Sequence, residues 1–227
     1  MSALLDLRGV TRVYDDGHEV MALRETDLTV QAGDHITITG PSGAGKSTLL
    51  NVLGLLDKPS RGQYLIQGVD SGAMTEAVRG AVRGQLFGFV FQAFHLLAGR
   101  TAVENVGLGM LYGPHSPKER GNRAAEALDR VRMSHRADAD PRTLSGGEKQ
   151  RVAIARAIAG EPAVLFCDEP TGNLDSVNTE NLLELLHELH RDGLTLVIVT
   201  HDREVAARGD RILTVRDGSV TEAAGCP

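Results

Sequence analysis

Residues 40–48 read Gly-Pro-Ser-Gly-Ala-Gly-Lys-Ser-Thr, and this stretch decides the fold. Its order of glycine, four residues, glycine, lysine and serine is the pattern of a phosphate-binding loop. The glycines allow successive backbone N–H groups to turn inward at a helix N-terminus, where they can hold phosphate oxygens. Residues 35–39 alternate like a strand, and Leu49, Leu50 and Leu53 follow with helical spacing. This context favours a strand, a phosphate-binding loop and a helix over a chance glycine-rich turn.

Two side chains of this loop carry chemistry of their own. Lys46 is predicted to reach the β- and γ-phosphates of a nucleoside triphosphate, and the Ser47 hydroxyl is predicted to bind Mg²⁺. The predicted nucleotide-binding residues are those of the whole loop: Gly40, Pro41, Ser42, Gly43, Ala44, Gly45, Lys46, Ser47 and Thr48.

The composition indicates one soluble α/β domain. The 227 residues include 24 Lys and Arg against 30 Asp and Glu, so the formal net charge is −6, which argues against a basic surface for nucleic acid. The apolar runs are shorter than the roughly 18–20 residues that cross a bilayer, and the first residues lack the pattern of a secretion signal. Cys167 and Cys226 are poor disulfide candidates. We therefore expect no membrane span, no leader, and a reducing cytoplasm.

A second strand is predicted at residues 163–167, which are apolar without alternation, as in a strand buried on both faces of a parallel sheet. Asp168 and Glu169 follow it. Two solvated acids at a strand end are the plain alternative. Beside a phosphate-binding loop, however, a metal needs a carboxylate from a neighbouring strand end, and the attacking water needs a second one. We assign Asp168 to Mg²⁺ through water and Glu169 to the general base.

A third buried strand is predicted at residues 194–200, and His201 follows it. Alone, such a histidine is more often a structural residue. Here three strands each end in polar residues, and ligands of open α/β sheets bind at the carboxyl ends of strands. We expect the phosphate-binding loop, the two acids and His201 to meet at that edge.

Residues 144–151, Leu-Ser-Gly-Gly-Glu-Lys-Gln-Arg, open another amphipathic helix, which ends before Pro162. This is a second helix N-terminus able to hold a phosphate. An ordinary helix capped by Ser145 is the alternative.

From about Leu5 to Val220 the chain resembles the ATP-binding subunit of ATP-binding-cassette (ABC) transporters, with every motif in the family's order. The resemblance implies ATP and Mg²⁺ as cofactors and an ATP-dependent head-to-tail homodimer. It also implies that the signature residues of one subunit act on the ATP of the other, Ser145 and Gly147 contacting the γ-phosphate that Lys46 holds. The signature residues are Ser145, Gly146 and Gly147.

The resemblance gives roles to four more side chains. Tyr14 matches the aromatic that stacks on adenine, although a lone Tyr after Val13 also suits strand packing. Gln92 matches the glutamine that touches Mg²⁺ and the attacking water and senses the membrane partner. His201 would hold the γ-phosphate and orient the water. Asp175 would organise the dimer seam, although a helix-start acid explains it nearly as well.

Residues 91–97, 101–106 and 168–175 resemble the macrolide-export, lipoprotein-release and antimicrobial-peptide-export branch, whose permeases have few membrane helices. Some members of that branch transmit mechanical force. Cys167 and Lys149 depart from the commoner alanine and glutamine without touching an inferred catalytic atom.

The expected architecture is a single α/β domain with the ABC ATPase fold. Residues 1–92 and 157–227 form the P-loop core, with a mainly parallel sheet and a small antiparallel β edge, and residues 93–156 form an inserted helical lobe. We expect an ATPase on the inner face of the cell membrane that drives a separate permease, as an exporter or a mechanotransmission system. The alternatives are a division-type scaffold and a soluble regulator on ribosomes or DNA. The basic run 130–136 is best explained as a solvated helix face, and no nucleic-acid partner is expected.

Overall fold

The computed structural model of the chain describes residues 3–15 and 17–222. They form two compact units. The first holds the described residues of Met1–Arg79 and Thr195–Pro227, and the second is Gly80–Leu194. The boundaries of these units differ from those of the predicted helical lobe, residues 93–156. That lobe therefore stays a prediction.

Three strands begin the described chain, three consecutive α-helices lie between the sixth and seventh strands, and strands and helices alternate from the seventh strand to the ninth. The strands are β1 (Leu5–Asp15), β2 (Glu19–Val30), β3 (His35–Thr39), β4 (Arg61–Ile66), β5 (Val69–Asp70), β6 (Phe87–Phe91), β7 (Val164–Asp168), β8 (Thr195–Val199), β9 (Arg211–Arg216) and β10 (Ser219–Glu222). The helices are α1 (Lys46–Leu53), α2 (Glu76–Leu86), α3 (Ala102–Leu108), α4 (Pro117–Arg130), α5 (Gly146–Ile158), α6 (Ser176–Arg191) and α7 (Arg203–Ala206). The three strands and the signature helix predicted from sequence are all present.

The first unit contains an antiparallel sheet in the order β2-β1-β4-β5. It also contains a mixed arrangement in which β3 is parallel to both β8 and β9, and β10 is antiparallel to β9. All five residues of β8 are buried, so this strand has an apolar environment on both faces. Helix α1 packs against β8 and carries a stripe of buried residues. This stripe consists of Leu49, Leu50, Val52 and Leu53.

The second unit joins parallel strands β6 and β7 to helices α3, α4 and α5, which pack on one another. Phe166 of β7 contacts the rings of Phe87 and Phe89 in β6, at centroid distances of 5.3 and 5.5 Å. Each of the three helices begins with a capping box, in which a Ser or Thr hydroxyl and a Glu carboxylate satisfy two backbone N–H groups. Helix starts are therefore set locally, while the aromatic cluster joins the strands.

Within the described ranges, no helix is both long and apolar enough to cross a bilayer. Cys167 is a buried free thiol in β7, and burial raises its pKa above the usual range. The other cysteine considered in the sequence, Cys226, lies outside the described residues.

Candidate functional site

The phosphate-binding loop connects β3 to α1 in the first unit. Gly45 precedes the helix with a φ of 108°, a left-handed conformation that favours glycine. A Cβ atom at this position would lie 2.4 Å from the carbonyl oxygen of Ala22 in β2, so no larger residue fits. Among the described residues, no side chain caps α1. The first N–H groups of this helix therefore face the loop, where a phosphate can accept their hydrogen bonds.

The ammonium group of Lys46 lies over the start of the same loop. Its Nζ atom donates to the carbonyl oxygens of Gly40 at 2.8 Å and Pro41 at 2.9 Å. An ammonium group has three donors, so this geometry leaves Lys46 able to bind one further acceptor. A phosphate oxygen held by the loop would be such an acceptor.

The structure places His201 at the same sheet edge as the loop. Ile38 of β3 is paired with Val199 of β8, and the Thr200 N–H donates to the Ile38 carbonyl at 3.0 Å. Gly40 and His201 follow these paired positions, because parallel strands end at one edge. The His201 side chain is exposed. The first unit therefore brings together two of the elements that the sequence predicted to converge.

Tyr14 lies on the hairpin that touches the loop. It is directly opposite Val20 of β2, and Ala22, two residues further on, contacts Gly45. Two residues of strand span about 7 Å, and neighbouring strands lie about 5 Å apart. The Tyr14 ring is half-buried, and its hydroxyl donates to Asp57 Oδ2 at 2.7 Å. Tyr14 therefore lies on the same strand pair that contacts the phosphate-binding loop at Gly45.

In the second unit, Gln92 and the two acids follow paired strands. Phe91 of β6 is opposite Asp168 of β7, so Gln92 and Glu169 leave the sheet side by side. Asp168 and Glu169 are half-buried and Gln92 is exposed. Glu169 has a φ of 49°, which is uncommon for a non-glycine residue. Such backbone conformations cluster at functional sites, where the surrounding structure maintains them.

Asn173 holds the Gln92 loop to the segment after the acids. Its Nδ2 atom donates to the Gln92 carbonyl at 2.9 Å, and Gln92 Nε2 lies 3.5 Å from Asn173 Oδ1. Asn173 was not among the predicted site residues, although it lies in the stretch 168–175 that carries the branch resemblance. An exposed asparagine has no local pattern that indicates a distant carbonyl partner.

The signature residues begin α5. Ser145 is its N-cap: the Ser145 hydroxyl accepts from the Glu148 N–H at 3.3 Å, and Glu148 accepts from the Ser145 N–H at 2.8 Å. Within one chain, the Ser145 side chain therefore acts as an ordinary helix cap, which is the alternative that the sequence left open. The N–H groups of Gly146 and Gly147 lie between the two capped positions, in the first turn, where a helix lacks internal acceptors. This turn can bind an anion in addition to its cap.

Asp175 is the N-cap of α6. Its Oδ1 accepts from the Asn178 N–H and its Oδ2 from the Asn178 side chain, both at 2.8 Å. These hydrogen bonds lower the pKa of the Asp175 carboxyl below its usual range. The helix-start explanation of this acid is therefore correct as structure, and the dimer-seam role remains a prediction.

Two further residues of α5 reach the segments that carry the predicted catalytic side chains. Gln150, fully buried, donates through Nε2 to the Pro170 carbonyl at 2.7 Å, next to Glu169. Arg156 donates to carbonyls of the loop that follows Gln92. Neither residue was among the site residues predicted from the sequence. A glutamine in the apolar stripe of an amphipathic helix was the available signal for Gln150.

Comparison with known proteins identifies the family. The sequence profile described as "ABC transporter" matches residues 23–172. YvrO, an uncharacterized ABC transporter ATP-binding protein of Bacillus subtilis, is 45% identical over 96% of this chain and 95% of its own length. The macrolide export ATP-binding/permease protein MacB of Chlorobium luteolum is 49% identical over 96% of this chain but 33% of its own. The chain thus spans about a third of the macrolide export relative.

Solved structures show the same fold. The dimeric ATP-binding cassette MJ0796, in a post-hydrolysis state bound to ADP and Pi, matches with a TM-score of 0.87 and 41% identity, covering 96% of this chain and 97% of that one. The protein cbiO1 of Clostridium perfringens, part of the ABC transporter complex cbiONQ, matches with a TM-score of 0.87 and 29% identity, covering 97% and 88%. The chain therefore belongs to the ABC transporter family and is an ATP-binding cassette with the ATPase fold of that family.

Proposed function

We propose that this cassette hydrolyses Mg-ATP in a head-to-tail homodimer and thereby drives a separate membrane permease. The observation that carries the proposal is the start of α1. Among the described residues no side chain caps it, its first N–H groups face the loop, and Lys46 lies over that loop. In contrast, Thr101, Ser116, Ser145 and Asp175 cap helices of the second unit. An uncapped helix start beside a lysine is suited to a polyphosphate.

Three residues predicted from the sequence would each offer an oxygen ligand to Mg²⁺. Ser47 in the first turn of α1 supplies a hydroxyl, Asp168 at the end of β7 supplies a half-buried carboxylate, and Gln92 supplies an amide oxygen. Oxygen ligands of these kinds are the ones that Mg²⁺ prefers, often through water. When bound, Mg²⁺ would neutralise charge on the phosphates.

The proposed chemistry is in-line attack of water on the γ-phosphate. Glu169 accepts the proton of the attacking water, and His201 holds the γ-phosphate and orients the water. Lys46 stabilises charge on the transferred group. The unusual backbone of Glu169 and the pairing of its strand with that of Gln92 support the role proposed for Glu169.

The proposed dimer places the signature of each subunit on the ATP of the other. Gly146 and Gly147 offer first-turn N–H groups, and Ser145 keeps its O–H donor because its oxygen acts as acceptor in the cap. Asp175 would lie at the seam. The dimeric state in the name of the MJ0796 structure supports this arrangement.

The permease is proposed to be a separate polypeptide. YvrO, which this chain matches over 95% of its length, is named an ABC transporter ATP-binding protein, whereas the macrolide export relative is named an ATP-binding/permease protein. We therefore propose a peripheral location on the cytoplasmic face of the cell membrane and a role in export or mechanotransmission.

The test is capture of the partner in the ATP-bound state. Tagged Glu169→Gln protein is expressed in its source cells, trapped with ATP, solubilised in mild detergent and analysed by mass spectrometry. Lys46→Ala is the matched control, because it should bind no nucleotide. A stoichiometric permease enriched with Glu169→Gln supports the proposal. Ribosomal or DNA-bound material without a membrane protein would replace it with the soluble regulator.

A further inference from the structure

Two side chains of the first unit fix the ring of Tyr14. The guanidinium carbon of Arg12 lies over one face of the ring, 4.2 Å from its centroid. Arg12 Nε also donates to Asp57 Oδ2 at 2.8 Å, the same oxygen that accepts the Tyr14 hydroxyl at 2.7 Å. The ring is therefore held at one face by a cation and at its hydroxyl by a carboxylate.

Asp57 is itself anchored to the segment that begins with the phosphate-binding loop. Its N–H donates to the carbonyl of Asn51 in α1 at 3.1 Å, and its Oδ1 accepts from the Lys58 N–H at 2.7 Å. The Asp57 carbonyl accepts from Nη2 of Arg79, which is only 3% exposed. One short segment thus connects Lys46, at the start of α1, to the anchor of the Tyr14 ring.

Charge keeps this arrangement in place at neutral pH. Partial burial opposes ionisation of Asp57, but the hydrogen bonds from Tyr14, Lys58 and Arg12, with the charge of Arg12, lower the pKa of its carboxyl below the usual value. Burial also opposes the charge on Arg12, but Tyr14 and Asp57 outweigh it and raise the pKa of Arg12. Both groups are therefore ionised in the folded protein at neutral pH.

We propose that Arg12 and Asp57 are positioning residues that hold the Tyr14 ring with one face covered, so that a nucleobase stacks on the opposite face. The proposal rests on the proposed function. A ring that is already fixed loses little side-chain freedom when the base binds, which strengthens binding without a new contact to the ligand. Stacking does not read base edges, so ADP and GDP should depend equally on the two residues.

The experiment compares a nucleotide with the phosphates alone. Isothermal titration calorimetry with ADP, GDP and inorganic pyrophosphate is applied to the purified chain and to Arg12→Gln and Asp57→Asn. ADP avoids hydrolysis, and pyrophosphate reports on the loop without the base. The matched control is Arg8→Gln, which breaks another Arg–Asp contact on β1, the 2.8 Å pair of Arg8 and Asp6. Melting temperatures are recorded for every variant.

We expect both variants to bind ADP and GDP about three- to tenfold more weakly, with unchanged pyrophosphate affinity and with Arg8→Gln equal to the parent. Unchanged ADP affinity would overturn the proposal. An equal loss of ADP and pyrophosphate affinity would also overturn it, because the variants would then act on the phosphate-binding loop. If Asp57→Asn fails to fold, Tyr14→Phe decides, because it keeps the ring and loses the hydroxyl that Asp57 anchors. Tyr14→Phe should weaken the binding of ADP and GDP and leave pyrophosphate binding unchanged. A parent chain that binds no ADP would refute the proposed function instead.

Discussion

The guanidinium group of Arg156 binds the carbonyl oxygen of His95 at 2.6 Å, and its second terminal nitrogen binds the carbonyl of Phe94 at 2.9 Å. Arg156 lies near the end of α5, the helix that begins with the signature residues. Partial burial lowers the pKa of Arg156, and consecutive main-chain carbonyls accept its two planar donors. Within the second unit, one helix thus links the signature to the loop that follows Gln92.

Arg156→Lys should lower the turnover of ATP while leaving nucleotide affinity unchanged. A lysine cannot satisfy two carbonyls in the fixed geometry of a guanidinium group, so the Gln92 loop loses its position. We expect kcat to fall about 10- to 100-fold, the range typical of misplaced catalytic groups, with the ADP dissociation constant within about twofold. Steady-state kinetics and calorimetry measure both. An equal loss of kcat and ADP affinity would instead indicate a general loss of structure.

Glu169→Gln should keep ATP binding and stop turnover. The amide preserves the size of the side chain but cannot accept the proton of the attacking water, and loss of a general base costs about 10²- to 10⁴-fold in rate. Single-turnover hydrolysis of radiolabelled ATP measures the chemical step, and Lys46→Ala serves as the variant without nucleotide. A Glu169→Gln enzyme that hydrolyses ATP at the parent rate would remove Glu169 from the mechanism.

Gly147→Ala should lower the stability of the folded chain, because the new Cβ atom clashes with Asn178. It should separately abolish ATPase activity, because Gly147 is proposed to act on the partner's nucleotide. A Cβ atom at Gly147 would lie 2.5 Å from Asn178 Oδ1, and Asn178 is held by Asp175. Overpacking of this kind costs about 1–3 kcal/mol. Gly146→Ala is the matched control for stability alone, since its Cβ would meet its nearest atoms at 3.7 Å.

The second variant separates packing from binding. Gly147→Ala combined with Asn178→Ala should recover the melting temperature, because the clashing amide is removed. The ATPase activity should stay low if Gly147 acts on the partner's nucleotide. A Gly147→Ala protein with the parent melting temperature would contradict the packing argument.

Asp57 should contribute to the stability of the folded chain at neutral pH and lose that contribution in acid. Its pKa is lower in the folded chain than in the unfolded chain, so its contribution is present above the unfolded pKa and is lost as the pH falls through the folded pKa. The difference in melting temperature between the parent and Asp57→Asn should therefore shrink below about pH 4. Thermal unfolding followed by circular dichroism from pH 7 to pH 3 measures it. A melting-temperature difference that is constant with pH would show that the Asp57 carboxyl does not have a lowered pKa in the folded chain.

Local sequence signals correctly predicted the strands, the strand–loop–helix order of residues 35–53 and the start of the signature helix. Capping and periodicity act between residues two to four positions apart. The capping pair of Ser145 and Glu148 and the periodic leucines of α1 can therefore be recognised as helix signals in the sequence itself. The order of strands and polar residues also placed His201 at the edge of the loop, because parallel strands end together.

The supports of the site could not be predicted in this way. Arg12 and Asp57 are 45 residues apart, Arg156 and His95 are 61 apart, and each pair meets only after strands and helices have packed. The same holds for Asn178, whose amide leaves room for a hydrogen atom alone at Gly147. Residue type and spacing determine which groups bind phosphate, since that chemistry is local. Packing between distant segments determines how firmly those groups are held, because a long-range contact has no periodic pattern along the chain.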